Sequence, residues 1–195
     1  MTFKYKSICV YCSSSDAVLH EYVAAAEALG KGIGGRGLTL VFGGCNVGLM
    51  GAVARATKEA GGSVTGIIPD NMHNRGLLFD GCTDVKVTHD MASRKLAMEE
   101  AADAFIALPG GFGTLEEITQ AITLKQLQYH TKPIVLVNTH GFYDKLLDFL
   151  EHTYELKFAK ATYRELYHVA ANAEQVFKYL DQYEPPQLES KWFEK

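Results

Sequence analysis

Two glycine-rich segments carry the chemistry this sequence can be expected to perform. One reads Gly43-Gly44-Cys45-Asn46-Val47-Gly48-Leu49-Met50-Gly51, the other Pro109-Gly110-Gly111-Phe112-Gly113-Thr114-Leu115-Glu116-Glu117. Each follows a short apolar run and leads into a helical pattern. Glycine lets backbone N–H groups approach an anion closely, and a helix N-terminus adds partial positive charge, so each segment has the makings of a phosphate cradle. Glycines also serve tight turns without any ligand, but two such loops at strand ends of one sheet favour a bound phosphate. Neither loop holds the lysine of GxxxxGK[ST], which argues against ATP hydrolysis of the P-loop type. Neither is a clean GxGxxG with an acidic residue ending the next strand, which disfavours nicotinamide chemistry.

Four charged residues stand close to these loops. Thr114 and Glu117 have the Thr-x-x-Glu spacing of a capping box, which would stabilise a helix start without a ligand. Glu116 suits a helix N-terminus for the same electrostatic reason. A carboxylate beside a phosphate cradle can equally stabilise positive charge on a sugar or orient a water, and for Glu117 the two readings stand level. Arg94 and Lys95, in Asp90-Met91-Ala92-Ser93-Arg94-Lys95-Leu96-Ala97-Met98, open a helix where cations oppose the dipole. That placement favours an anionic partner over a solvated face.

These residues need elements to hold them. Strand-like apolar runs fall at Ser7–Cys12, Leu38–Phe42, Val64–Ile68, Val85–Thr88, Ala104–Leu108, Pro133–Asn138 and Tyr167–Ala170. Helical spacing fills Asp16–Gly30, Val47–Ala60, Ala92–Ala102, Gly113–Tyr129, Phe142–Tyr154 and Ala173–Tyr183. Apolar strands alternating with helices predict a doubly wound, Rossmann-like α/β domain: a parallel sheet of about seven strands covered by helices on both faces. Ligands of such sheets bind beyond the carboxyl ends of the strands. A chain of 195 residues suffices for one sizeable domain. We place that domain at 1–184, with 185–195 as a mobile tail after Pro185-Pro186.

Other readings are excluded or disfavoured. The formal net charge is −4 with no Lys/Arg cluster, a poor basis for gripping a nucleic-acid backbone. No stretch approaches about 18 consecutive apolar residues, so no membrane span is expected. The opening residues do not read as a secretory leader, and the cysteines at 9, 12, 45 and 82 read as reduced thiols, pointing to the cytoplasm. Cys9 and Cys12 lie three apart on a strand and so face opposite sides. The seven histidines have no metal-binding spacing, so no metal site is predicted. Ser13-Ser14-Ser15 either cap the first helix or touch a ligand, and capping is the preferred reading.

The combination Gly43-Gly44-x-x-x-Gly48-Leu49-Met50-Gly51, Met91-x-x-Arg94-Lys95-x-x-Met98 and Pro109-Gly110-Gly111-x-Gly113-Thr114-x-x-Glu117 resembles the LOG ("Lonely Guy") family. The likeness runs from Ile8 to about Leu147 and includes Gln126-Leu127, His130, Lys132-Pro133 and Tyr143-Asp144. The family comprises cytokinin riboside 5′-monophosphate phosphoribohydrolases, long mislabelled as lysine decarboxylases. No lysine here stands in the context that a pyridoxal phosphate Schiff base requires.

The resemblance implies hydrolysis of the N-glycosidic bond of AMP or a cytokinin riboside 5′-monophosphate, giving free base and ribose 5-phosphate without a cofactor. It makes Arg94 and Glu117 the catalytic pair. It gives substrate contacts to Gly44, Met91, Lys95, Gly110, Gly111, Phe112, Gly113, Thr114, Leu115 and Glu116, in a homodimer whose subunits share each site. The chain departs from the family at Ala92 (commonly His), at Gly76 after Arg75 (commonly Glu), at Ser13 (commonly Gly) and at Leu124 (commonly Trp). The alternative is a carrier that binds a nucleotide or cofactor without turning it over.

Overall fold

The computed structural model describes residues 4–187; most of the predicted tail lies outside them. Seven strands alternate with helices: β1 (Ser7–Tyr11), α1 (His20–Gly34), β2 (Thr39–Phe42), α2 (Gly48–Glu59), β3 (Ser63–Pro69), α3 (Asp70–His73), β4 (Asp84–Thr88), α4 (Met91–Ala101), β5 (Ala104–Ala107), α5 (Phe112–Gln126), β6 (Ile134–Val137), α6 (Asp144–Glu155), β7 (His168–Ala170) and α7 (Ala173–Gln182). All strand pairings are parallel, in the order β4-β3-β2-β1-β5-β6-β7. The order reverses between β1 and β5, which pair from Ile8↔Ala104 to Tyr11↔Ala107. The crevice beyond that pair is where such a sheet takes its ligand.

Both faces of the sheet are covered, as an apolar parallel sheet requires. Ile8, Val10, Leu40, Phe42 and Ile106 pack beneath α1, α2 and α7. Cys9, Tyr11, Val41, Phe105 and Leu136 pack beneath α4, α5 and the start of α6. Cys9 and Cys12 do face opposite sides. The strand reading fails to distinguish β4, an edge strand whose Val85 and Val87 are 38% and 48% exposed.

Three local expectations are corrected. The first helix does not stop at Gly30 but runs on to Gly34, with Gly35 as its C-cap. Gly30 and Gly34 lie inside α1, where a Cβ would sit 2.5 Å from the Val53 carbonyl oxygen and 2.3 Å from that of Thr57. They form the face on which α1 and α2 touch backbone to backbone. The same helix starts at His20, not Asp16, because Asp16 is engaged elsewhere: its carboxylate accepts from the Gly48 N–H at 2.7 Å. Ser13–Ser15 therefore precede a turn and do not cap the helix. Finally, α5 starts at Phe112 with Gly111 as its N-cap and no side-chain cap, which places Thr114 and Glu117 inside the helix. The capping box lies instead at the start of α4. There the Asp90 carboxylate accepts from the Ser93 N–H at 2.7 Å, and Ser93 Oγ accepts from the Asp90 N–H at 3.2 Å.

α5 also buries a lysine. Lys125 is 1% exposed, donates to the Leu166 carbonyl at 2.9 Å, and has its ammonium 5.0 Å from the Tyr183 ring centroid. Burial lowers its pKa from 10.5 to about 8. Between those values the unfolded chain binds more protons than the folded one, so this group makes stability rise with pH. We expect the stability of the wild type relative to Lys125→Met to increase from pH 8 to pH 10 in urea titrations. The full effect of such a shift is about 3 kcal/mol. A pH-independent difference would show that Lys125 stays charged in the fold.

Candidate active site

A cleft of about 620 Å³ opens beyond the carboxyl ends of β1, β2, β3 and β5. Its parts are tied together by main-chain bonds. The Ser13 N–H donates to the Pro109 carbonyl at 3.1 Å, and the Leu49 N–H donates to the Ser13 carbonyl at 3.0 Å, so the loops after β1, β2 and β5 are held in mutual contact. The segment after α3 folds back over the cleft. Asn46 donates to the Leu77 carbonyl at 2.9 Å, Phe79 donates to the Gly44 carbonyl at 2.8 Å, and Cys45 and Leu78 form an antiparallel bridge. This strap brings Met72 and Leu77 to the cleft wall, opposite the first turn of α5.

Two opposite charges meet in that wall. Arg94 from α4 and Glu117 from α5 are 7% and 8% exposed, and Arg94 Nη1 donates to Glu117 Oε1 at 3.1 Å. Arg94 Nε is fixed separately by the Ile67 carbonyl at 3.1 Å. Burial pushes the Glu117 carboxyl above its usual 4.5, and the Arg94 guanidinium opposes that rise. Beside the pair lies the uncapped N-terminus of α5, where the N–H groups of Phe112, Gly113 and Thr114 have no acceptor within the helix. A water-accessible cleft thus offers a carboxylate, a guanidinium and an anion-binding helix end.

Comparison with known proteins gives the arrangement a family. The family described as "Possible lysine decarboxylase" matches residues 50–180. The cytokinin riboside 5′-monophosphate phosphoribohydrolase LOG3 of Arabidopsis thaliana is 42% identical over 182 residues, covering 93% of this chain and 85% of its own. The probable phosphoribohydrolase LOGL5 of Oryza sativa subsp. japonica is 40% identical over 183 residues, covering 94% and 74%. The chain belongs to the LOG family. Among solved structures, the molybdenum cofactor carrier protein of Chlamydomonas reinhardtii matches with a TM-score of 0.70 at 24% identity, covering 92% of this chain and 98% of its own. The molybdenum cofactor binding protein of Rippkaea orientalis matches with a TM-score of 0.72 at 23% identity, covering 92% and 97%. At that identity the likeness is one of fold.

The LOG motif residues divide by position. Arg94, Glu117, Met91, Gly111, Phe112, Gly113 and Thr114 all border the cleft. Gly110 packs under the Thr114 side chain and Gly44 against Ile68, both behind the cleft surface. Leu115 packs into the core beneath α5. Lys95 and Glu116 point away from the cleft and pair with each other. Sequence reasoning gave no site role to Cys12, Cys45, Met72 and Leu77, named Met50 and Met98 only as motif positions, and preferred a cap over a ligand contact for Ser13–Ser15; all of these line the cleft. The strap residues gave no periodic signal, since a helix of four residues shows none.

Gly43 holds Arg94 in place by its lack of a side chain. A Cβ there would lie 1.8 Å from Arg94 Nη2 and 2.6 Å from Met50 Cε. Gly43→Ala must therefore move the guanidinium off Glu117. We expect turnover to fall about 30-fold or more, because a misplacement of about 1 Å costs on the order of 100-fold in such sites. Steady-state kinetics decides it, and unchanged turnover would mean that Arg94 need not sit where it does.

Proposed function

We propose that this chain is a nucleotide N-glycosidase. Water cleaves the bond between base and ribose of a cytokinin riboside 5′-monophosphate, or of AMP itself, to give free base and ribose 5-phosphate. The observation that carries this reading is the buried Arg94–Glu117 pair facing the cleft next to the uncapped α5 N-terminus. Glycosidic C–N cleavage passes through an oxocarbenium-like state, which a nearby carboxylate stabilises. Glu117 supplies that charge or aligns the attacking water. Arg94, with forked donors suited to oxyanions, positions the nucleotide and Glu117 together. The 5′-phosphate lies on the N–H groups of Phe112 to Thr114. The apolar wall of Met50, Met72, Leu77 and Met98 faces the base.

The test is incubation with AMP and with an N6-substituted AMP, followed by chromatography for free base. Release of either base supports the reading, and no release from either overturns it. The carrier alternative has only the shared fold in its favour.

The homodimer belongs to the same proposal. Of the apolar residues on α4 and α5 beside the cleft, Ala97 and Ile118 are 4% and 0% exposed and belong to the core. Their burial follows from the phase of α4 and α5 on the sheet. Leu96 and Leu127 remain exposed at 54% and 39%, with Phe112 and Tyr129 nearby at 93% and 76%. Such a surface favours a partner. Light scattering is expected to give twice the 21.5 kDa chain mass, and the chain mass alone at micromolar concentration would refute the dimer. No helix among the described residues is long and apolar enough to cross a membrane.

A further inference from the structure

Arg94 and Lys95 are neighbours in sequence, as are Glu116 and Glu117, and the two pairs meet twice. Consecutive helical residues point about 100° apart, so one member of each pair faces the cleft and the other faces outward. Inside, Arg94 meets Glu117; outside, Lys95 Nζ pairs with the Glu116 carboxylate. The outer contact extends one turn along both helices. Lys95 Nζ also donates to Gln120 Oε1 at 2.8 Å, and Gln120 Nε2 donates to Glu99 Oε1 at 2.6 Å. Lys132 Nζ closes the end on the Glu99 carbonyl at 2.7 Å. Lys95 and Glu99 lie at i,i+4 on α4, and Glu116 and Gln120 at i,i+4 on α5, so all four share one facing strip. The two helix backbones scarcely approach each other. Their separation beside the cleft is therefore spanned by these long side chains.

We propose that Lys95, Glu99, Glu116 and Gln120 are positioning residues, a side-chain brace that sets α4 against α5 and so holds Arg94 on Glu117. This gives Lys95 and Glu116 a task other than touching substrate, from which their outward direction removes them. An exposed ion pair of this kind contributes little to global stability. Its effect is on geometry, to which a site of opposed charges is sensitive. The proposal rests on the reading of Arg94 and Glu117 as the catalytic pair.

The experiment compares Lys95→Met, which removes the brace, with Lys95→Arg, which can still reach both Glu116 and Gln120. Two readouts are taken on the full chain. In the first, solvent exchange of the Arg94 Nε–H, which donates to the buried Ile67 carbonyl, is followed by NMR. Exchange is expected to quicken about ten-fold in Lys95→Met and to return to within about three-fold of wild type in Lys95→Arg, since a loosened helix opens its buried bonds more often. In the second, kcat with AMP is expected to fall about ten-fold in Lys95→Met with KM within about three-fold, because orientation is lost and not substrate binding. Arg94 exchange unchanged in Lys95→Met overturns the brace, as does exchange equally fast in both variants. A raised KM with unchanged exchange overturns it in favour of a substrate contact. If the wild type releases no base, the exchange readout still decides the brace, and what has failed is the catalytic reading.

Discussion

Glu117→Gln is expected to lower turnover of the nucleotide about 100-fold or more, the scale seen when one electrostatic contributor to a transition state is removed. The side chain keeps its shape and an oxygen that can accept from Arg94 Nη1. What it loses is the negative charge that a developing oxocarbenium ion needs. KM should change little, because the ground-state sugar carries little positive charge. Because Glu117 is the counterion of Arg94 and not a helix cap, the substitution also leaves a buried guanidinium without charge compensation. Stability is expected to fall by about 2 kcal/mol, less than for full removal of a buried partner because the amide still accepts a hydrogen bond.

A pH profile gives an independent check. On the proposed mechanism the ionised carboxylate is the working form, and burial raises its pKa above 4.5. kcat/KM should therefore fall as pH drops through a value above 4.5, and that acid limb should vanish in Glu117→Gln. Near-normal turnover in the variant would remove Glu117 from the mechanism.

The largest stability effect is expected at the contact of α1 and α2. Gly34→Val would bring a Cβ to 2.3 Å from the Thr57 carbonyl oxygen and 2.7 Å from the Ala60 Cβ. Both are backbone or first-carbon atoms, with no flexible end to swing aside. The helices must separate, and overpacking of this kind costs about 3 kcal/mol, which for a chain of this length lowers Tm by about 10 °C. Ala28→Val on the exposed side of the same helix is the control, with an expected cost of roughly 0.6 kcal/mol from helix propensity alone. Equal melting of the two variants would show that the helices can part freely.

The same contact explains where the sequence misleads. Gly30 read as the last helical residue and Gly34 as a breaker because local propensity penalises glycine in a helix. Their value lies in a neighbour some twenty residues on, which no local pattern reveals. The Thr114-x-x-Glu117 spacing is ambiguous for a related reason: starting α5 three residues earlier, at Phe112, turns a cap into a buried side chain. The sheet is readable because its inner strands are apolar on both faces, as parallel strands covered on both sides must be. Arg94 stood out because a cation is misplaced at a helix start, and its bond to Glu117 accounts for the misplacement. Lys95 carried the same signal and the opposite direction, since adjacent helical residues diverge and sequence spacing alone does not say which one faces inward. Met72 and Leu77 were illegible, because the strap that carries them is tied back by main-chain bonds of Leu77 to Asn46 and of Phe79 to Gly44, with no periodicity of its own.

The four unpaired thiols make the protein its own unfolding reporter. Cys9 lies on β1, the central strand, fully enclosed, and burial drives its thiol far from ionisation; Cys12, one residue past the strand, borders the cleft instead. Alkylating reagents act on the thiolate and need access to it. Cys9 cannot react until β1 itself is uncovered, by which point the sheet has come apart. Cys82, partly exposed in the loop before β4, needs only local opening. Alkylation followed residue by residue would thus time two separate events in unmodified protein: fraying at the sheet edge through Cys82, and loss of the whole fold through Cys9 on β1.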